Sequence, residues 1–156
     1  MKITELFKTQ PRTYSFEFFP PKDEISAVDF GFNVGQLVKL NPSFVTVTYG
    51  AGGSTQERTF ALVEYLQNKI GLTTMAHYTC VNASRSKVYD DLKKLKELGI
   101  DNTMLLRGDP PKGQGTFTPH PEGFTYASEL IAYARSNFDI CIGSAAYPEK
   151  HPEAET

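Results

Sequence analysis

Ser15-Phe16-Glu17-Phe18-Phe19-Pro20-Pro21 is an aromatic run stopped by two prolines. Strand alternation puts Thr13, Ser15, Glu17 and Phe19 on one face, and Tyr14, Phe16 and Phe18 on the other. Three rings on one side of a strand are core material, so that face is expected to be buried. Proline cannot donate to a ladder, so the pair ends the strand just past Glu17. Glu17 therefore sits at the C-terminal mouth of the strand, and two readings of it stand open. If both faces are covered, burial favours the neutral acid and Glu17 is a proton donor. If the strand is a half-exposed edge, Glu17 is a solvated carboxylate.

Strand-like and helix-like segments alternate outward from this run. A strand near 13–19 precedes a helix over about 24–39, which stops before Asn41-Pro42. The next strand is Phe44 to Thr48, rich in β-branched residues. Gly50-Ala51-Gly52-Gly53 turns into a helix with Ser54 or Thr55 as N-cap; its stripe is Phe60, Val63, Leu66 or Gln67, and Ile70, and it ends at Gly71. A third strand runs from Thr73 to about Cys80. Ser84 caps a helix with Val88, Leu92 and Leu95 on one face, stopped by Gly99. A strand at about 103–107 leads into a Gly/Pro-rich loop. A helix over roughly 124–136 shows Ala127, Leu130, Ile131 and Ala134, and the last strand is about Ile140 to Ala146.

Five strands and four helices in strict alternation, with strand starts roughly 30 residues apart, belong to parallel βα units. The first βα junction contains no glycine, so the dinucleotide fingerprint of a doubly wound sheet is missing where it would be needed. The α/β class is therefore read as (βα)8 TIM-barrel units, whose active sites lie at the C-terminal rim. Eight units need about 200 residues or more. The 156 residues are thus expected to be a single domain, 1–156, forming the N-terminal part of an incomplete barrel. Its outer strand edges would be exposed or paired with another chain, as in a homo-oligomer.

Composition narrows the class. Hydrophobic content of 40% with 22% charged residues suits a globular chain rather than a disordered one. Net charge is −2 with both signs interspersed, so no basic patch points to nucleic acid or a membrane surface. Cys80 and Cys141 lie in apolar, strand-like segments and read as reduced, buried thiols of a cytoplasmic protein. Neither a signal-type leader nor a bilayer-spanning stretch is evident.

Polar residues recur at the strand ends: Glu17, Thr48 and Tyr49, His77, Arg107 and Asp109, Tyr147. By alternation Leu105, Arg107 and Asp109 share a face, offering a donor fork and a carboxylate to a bound cofactor. The bland alternative is an ion pair on an Asp-Pro turn. Two carboxylates at one rim can serve as donor and as fixed charge. The small-residue loop from Thr48 to Thr55 could receive a phosphate at a helix N-terminus, although a capped turn explains its glycines equally well. His77 and Cys80 point to opposite sides of a strand, which argues against zinc, with His120 and His151 elsewhere. Lys22 and Lys112 lie in loops, which disfavours Schiff-base chemistry. Tyr147 and His151, stiffened by Pro148 and Pro152, could wrap a flat ligand.

Five ordered stretches carry a resemblance. They are Ser15 to Pro21; Val47-Thr48-Tyr49-Gly50-Ala51-Gly52-Gly53-Ser54; His77-Tyr78-Thr79-Cys80; Leu106-Arg107-Gly108-Asp109; and Ala146-Tyr147-Pro148-Glu149-Lys150-His151-Pro152-Glu153-Ala154. Together they resemble the methylenetetrahydrofolate reductase family of bacterial flavoprotein type. The resemblance implies a (βα)8 barrel with FAD at its C-terminal rim. It also implies reduction of 5,10-methylenetetrahydrofolate to 5-methyltetrahydrofolate by NADH or NADPH, in the one-carbon supply to methionine. Glu17 matches the general acid, and Asp109 the carboxylate near flavin and pterin. Thr48 matches a nicotinamide-side contact. Tyr49, Ala51, His77, Arg107, Gly108, Ala127, Ala145, Tyr147, His151 and Ala154 match flavin-contact positions. The family barrel continues for three further strands, so two other readings remain. One is a non-catalytic half-barrel that self-associates through open edges. The other is a different flavin-dependent barrel, such as a proline dehydrogenase relative.

Overall fold

Among the described residues, five short strands pair in one wholly parallel sheet: β1 (Ser15–Phe18), β2 (Phe44–Val47), β3 (Thr74–Thr79), β4 (Asn102–Leu106) and β5 (Cys141–Gly143). Their order in the sheet is their order in the chain. A doubly wound sheet would reverse order at a switch point; this one does not, as barrel-type units require. The computed structural model describes residues 1–50, 56–110 and 117–150. Its helices are α1 (Ile3–Thr9), α2 (Glu24–Val38), α3 (Gln56–Tyr65), α4 (Arg85–Glu97) and α5 (Ala127–Asn137).

Local chemistry sets the helix ends. Asp23 accepts from the Ser26 amide at 2.8 Å and Ser26 Oγ accepts from the Asp23 amide at 3.1 Å, a reciprocal cap that starts α2. Ser84 Oγ accepts from the Lys87 amide at the start of α4. The chain after α3 widens into a π-helical turn, Leu66–Ile70, closed by Gly71 at φ +83°. The Ser54 or Thr55 cap expected for α3 lies outside the described residues.

The sheet has one helix-covered face. Val45, Val47, Ala76, Tyr78 and Leu105 alternate along it and meet Phe60, Val63 and Leu66, then Val88, Leu92 and Leu95, then Leu130 and Ala134. Burying each of the larger side chains contributes about 1.5–3 kcal/mol. The opposite face is apolar only at its N-terminal end, where Met75, Cys141, Phe44 and Met104 cluster with Ile3 and Leu6 of α1. Asn102 holds that plug: wholly buried, it accepts from the Ile3 amide at 2.8 Å and donates to the Met1 carbonyl at 2.9 Å.

Three sequence expectations need correction. First, α1 is an additional helix; seven residues with two buried positions, Ile3 and Leu6, are too short to show a helical period. Second, the aromatic face of the first strand is only partly core. Phe18 is buried and meets Phe30 edge-on, Phe16 is half-buried, and Tyr14 precedes the strand and is exposed. The reason is that, among the described residues, β1 has a strand neighbour on one side only. Beside it runs a groove of about 440 Å³ lined by Phe16, Phe18, Phe30 and Leu37. Third, Leu105 lies in the helix-side core and β4 stops at Leu106. Strand alternation therefore ends before Arg107 and Asp109, which lie beyond β4, while Leu105 faces the helices rather than a ligand. Among the described residues, no helix is long and apolar enough to cross a membrane.

Asn102→Ala strands the Ile3 amide and the Met1 carbonyl, so it is expected to lower stability by about 1–3 kcal/mol. Urea unfolding measures that loss, and hydrogen exchange at the α1 amides should accelerate more than exchange in β3.

Candidate functional site

Parallel pairing brings all five C-terminal strand ends to one edge of the sheet. On the face away from the helices the register aligns Glu17 with Thr46, and His77 with Met104. Glu17 Oε2 lies 3.6 Å from His77 Nε2 and 3.4 Å from Thr46 Oγ1. The threonine hydroxyl donates to the carboxylate. The histidine contact is an ion-pair distance rather than a hydrogen bond, so Nε2 has no hydrogen-bond partner among the described residues.

Glu17 and His77 occupy contrasting environments. The Glu17 side chain is 51% exposed and that of His77 only 10%. The solvated reading of Glu17 is thus the one observed, because β1 is an edge strand. Burial lowers the pKa of His77, partly offset by the neighbouring Glu17 charge. His77 is therefore a neutral ring at neutral pH.

Glycine defines the far side of the rim. Gly108 follows β4 at φ +89°, and a Cβ built there would fall 2.8 Å from Thr79 Cβ. The chain thus crosses directly over Thr79 without a side chain, in a backbone region that L residues avoid. Asp109 follows and is exposed. Two strands separate β4 from β1, so Asp109 and Glu17 stand at different points of the same rim.

Other expected site residues are less tightly gathered. Thr48 continues β2: its amide donates to the Phe18 carbonyl at 2.9 Å, and its carbonyl accepts from Thr59 Oγ1 at 3.0 Å. Tyr49 turns to the helix side and packs on Tyr78, ring centroids 5.3 Å apart. Burial, with the Asp91 charge behind it, pushes the Tyr49 phenol up. Tyr78 in turn donates to Asp91 at 2.8 Å, and Lys87 bonds both Asp91 oxygens. The Arg107 guanidinium lies over the Phe117 ring, 4.7 Å from its centroid. Ala127 opens α5 and is half-buried, whereas Ala145 and Tyr147 lie past β5 and are exposed. Ala51, Lys112, His151 and Ala154 lie outside the described residues.

Cys80 points away from His77, into the helix-side core. Its thiol donates to the Arg107 carbonyl, and burial pushes its pKa up to about 11. Sequence reasoning missed Thr46 and Thr79. Their signal was present: each lies two residues from an expected site residue, Thr48 and His77, and so shares its face.

The family model described as methylenetetrahydrofolate reductase matches residues 2–156. A protein of Arabidopsis thaliana named methylenetetrahydrofolate reductase (NADH) 1 is 38% identical over 154 residues, covering 97% of this chain and 26% of that protein. Proteins named 5,10-methylenetetrahydrofolate reductase from Pectobacterium carotovorum and Salmonella typhimurium are each 36% identical over 142 residues. Each alignment covers 91% of this chain and 46% of the relative. The chain thus spans about a quarter of the plant relative's length and under half of the bacterial ones.

Glu17→Gln removes the negative charge that partly offsets burial at His77, so the ring is expected to titrate at still lower pH. Between the ordinary histidine value of 6.5 and the lowered one, the unfolded chain binds more protons. Stability is therefore lost as pH falls below about 6.5, and more steeply in the variant. NMR titration of the His77 ring tests the direction; an unchanged or raised value would contradict the electrostatic coupling.

Proposed function

The chain belongs to the methylenetetrahydrofolate reductase family, and from that premise we propose that it supplies the Glu17–His77 rim of a flavin-dependent enzyme. That enzyme reduces 5,10-methylenetetrahydrofolate to 5-methyltetrahydrofolate with NADH or NADPH. The observation that supports the reading best is the 3.6 Å approach of Glu17 to His77 at the strand-end rim. A family match over residues 2–156 accompanies it and favours this reading over a scaffold or another flavin barrel. Residues present at the rim suit FAD: His77 and Thr79 hold polar atoms without partners among the described residues, and Gly108 leaves backbone bare of a side chain. Arg107, Ala127, Ala145 and Tyr147 would add contacts, and Tyr49 precedes Ala51, which matches a flavin-contact position.

Glu17 is the general acid. It delivers its proton to a nitrogen of the methylene bridge, one carbon–nitrogen bond breaks, and a cationic iminium remains. Thr46 and His77 aim the carboxyl, and its 51% exposure lets solvent restore the proton between turnovers. Asp109 offers a fixed negative charge to the iminium. Thr48 contacts the nicotinamide side. Bound flavin supplies the two-electron relay from NAD(P)H to the iminium carbon. The enzyme acts in the cytoplasm, in one-carbon metabolism toward methionine. The singly paired edges of β1 and β5 suit assembly with further strands, as in a homo-oligomer.

Protein carrying this chain and reconstituted with FAD is expected to show flavin absorbance and NAD(P)H-dependent folate reduction. Glu17→Gln should slow the folate half-reaction by roughly 10²–10⁴-fold, while flavin reduction by NAD(P)H stays near wild type in stopped-flow traces. An equal fall in both half-reactions would remove the general-acid role.

A further inference from the structure

Thr79 is the last residue of β3 and shares a face with Met75 and His77. It is 7% exposed, and its hydroxyl is enclosed without a hydrogen-bond partner among the described residues. Other buried threonines differ: Thr59 donates to the Thr48 carbonyl, and Thr74 to the Leu72 carbonyl. Where the sheet needs only a β-branched wedge, it carries Val45 and Val47. An orphaned hydroxyl is a cost that valine would avoid.

Two further observations direct that hydroxyl toward a ligand. The position a Cβ would take at Gly108 is 3.1 Å from Thr79 Oγ1, so the hydroxyl lies where the chain turns from β4 toward Asp109. His77 Nε2, two residues back on the same face, is orphaned as well. Two residues of strand separate the positions by on the order of 7 Å. One flat molecule with several polar atoms on its edge answers both.

We propose that Thr79 is a ligand-contacting residue of this rim, its hydroxyl hydrogen-bonding the polar ring edge of the bound flavin beside His77. The assignment rests on the flavin reading given above. It makes Thr79 a binding residue with two jobs. Its methyl and Cβ hold the Gly108 backbone, and its hydroxyl stays unpaired until the cofactor arrives.

Thr79→Val keeps the shape against Gly108 and deletes the hydroxyl, whereas Thr79→Ser keeps the hydroxyl. The full chain, purified without cofactor, is titrated with FAD by flavin fluorescence, and unfolding of the cofactor-free form is followed by heating. Thr79→Val should bind FAD roughly tenfold more weakly, with a cofactor-free melting midpoint equal to or above wild type. Thr79→Ser should bind as wild type does. Wild-type affinity in Thr79→Val, or a lowered midpoint, would assign Thr79 a structural role and overturn the proposal while leaving the flavin reading intact. A wild-type protein that takes up no FAD would overturn both, and is recognised because all three proteins then stay colourless.

Discussion

Parallel pairing in chain order is the constraint on which everything else depends. Strands running one way put all their C-terminal ends at one edge. Each crossover helix must then return across the same face, and Val45, Val47, Ala76, Tyr78 and Leu105 are buried beneath them. The other face is left for two purposes. Its N-terminal end is filled by Met75, Met104 and Cys141 under the α1 plug, and its C-terminal end carries Glu17, Thr46, His77 and Thr79. The packed plug and the polar candidate site therefore occupy opposite ends of the same strands.

Desolvation differentiates the groups at the polar end. His77 and Thr79 lie on the central strand, enclosed by neighbours on both sides, and their polar atoms lack partners among the described residues. Glu17 lies on an edge strand and keeps half of its side chain in solvent. Burial holds the imidazole neutral at neutral pH, so the 3.6 Å approach to Glu17 becomes an ion pair only where the ring is protonated. Behind the rim, Tyr49, Tyr78, Asp91 and Lys87 form a separate polar set in the helix-side core. That set fixes the segment leaving β2 without facing the mouth.

Much of the fold was legible because its signals are local. The Val88, Leu92, Leu95 stripe, the Ser84 cap and the Gly71 stop each follow from short-range geometry, and all three stand where sequence periodicity puts them. The short α1 escaped because two apolar residues cannot display a period. Alternation from Leu105 to Arg107 and Asp109 could not be carried through, because Leu105 packs under the helices and β4 ends at Leu106. Tyr49 shows the same limit: it is one residue from Thr48, yet it packs on Tyr78.

By itself the sequence determined the order of elements, their parallel class and the residues at each strand end, because periods of 2.0 and 3.6 are properties of the local backbone. Its motifs also carried the resemblance that the family match over residues 2–156 bears out. Only the tertiary structure decided that Glu17 is solvated and His77 enclosed, that the two meet at 3.6 Å, and that Gly108 bears on Thr79. Burial and distance between strands depend on which neighbours the sheet provides, and that is a property of the assembled chain rather than of any segment within it.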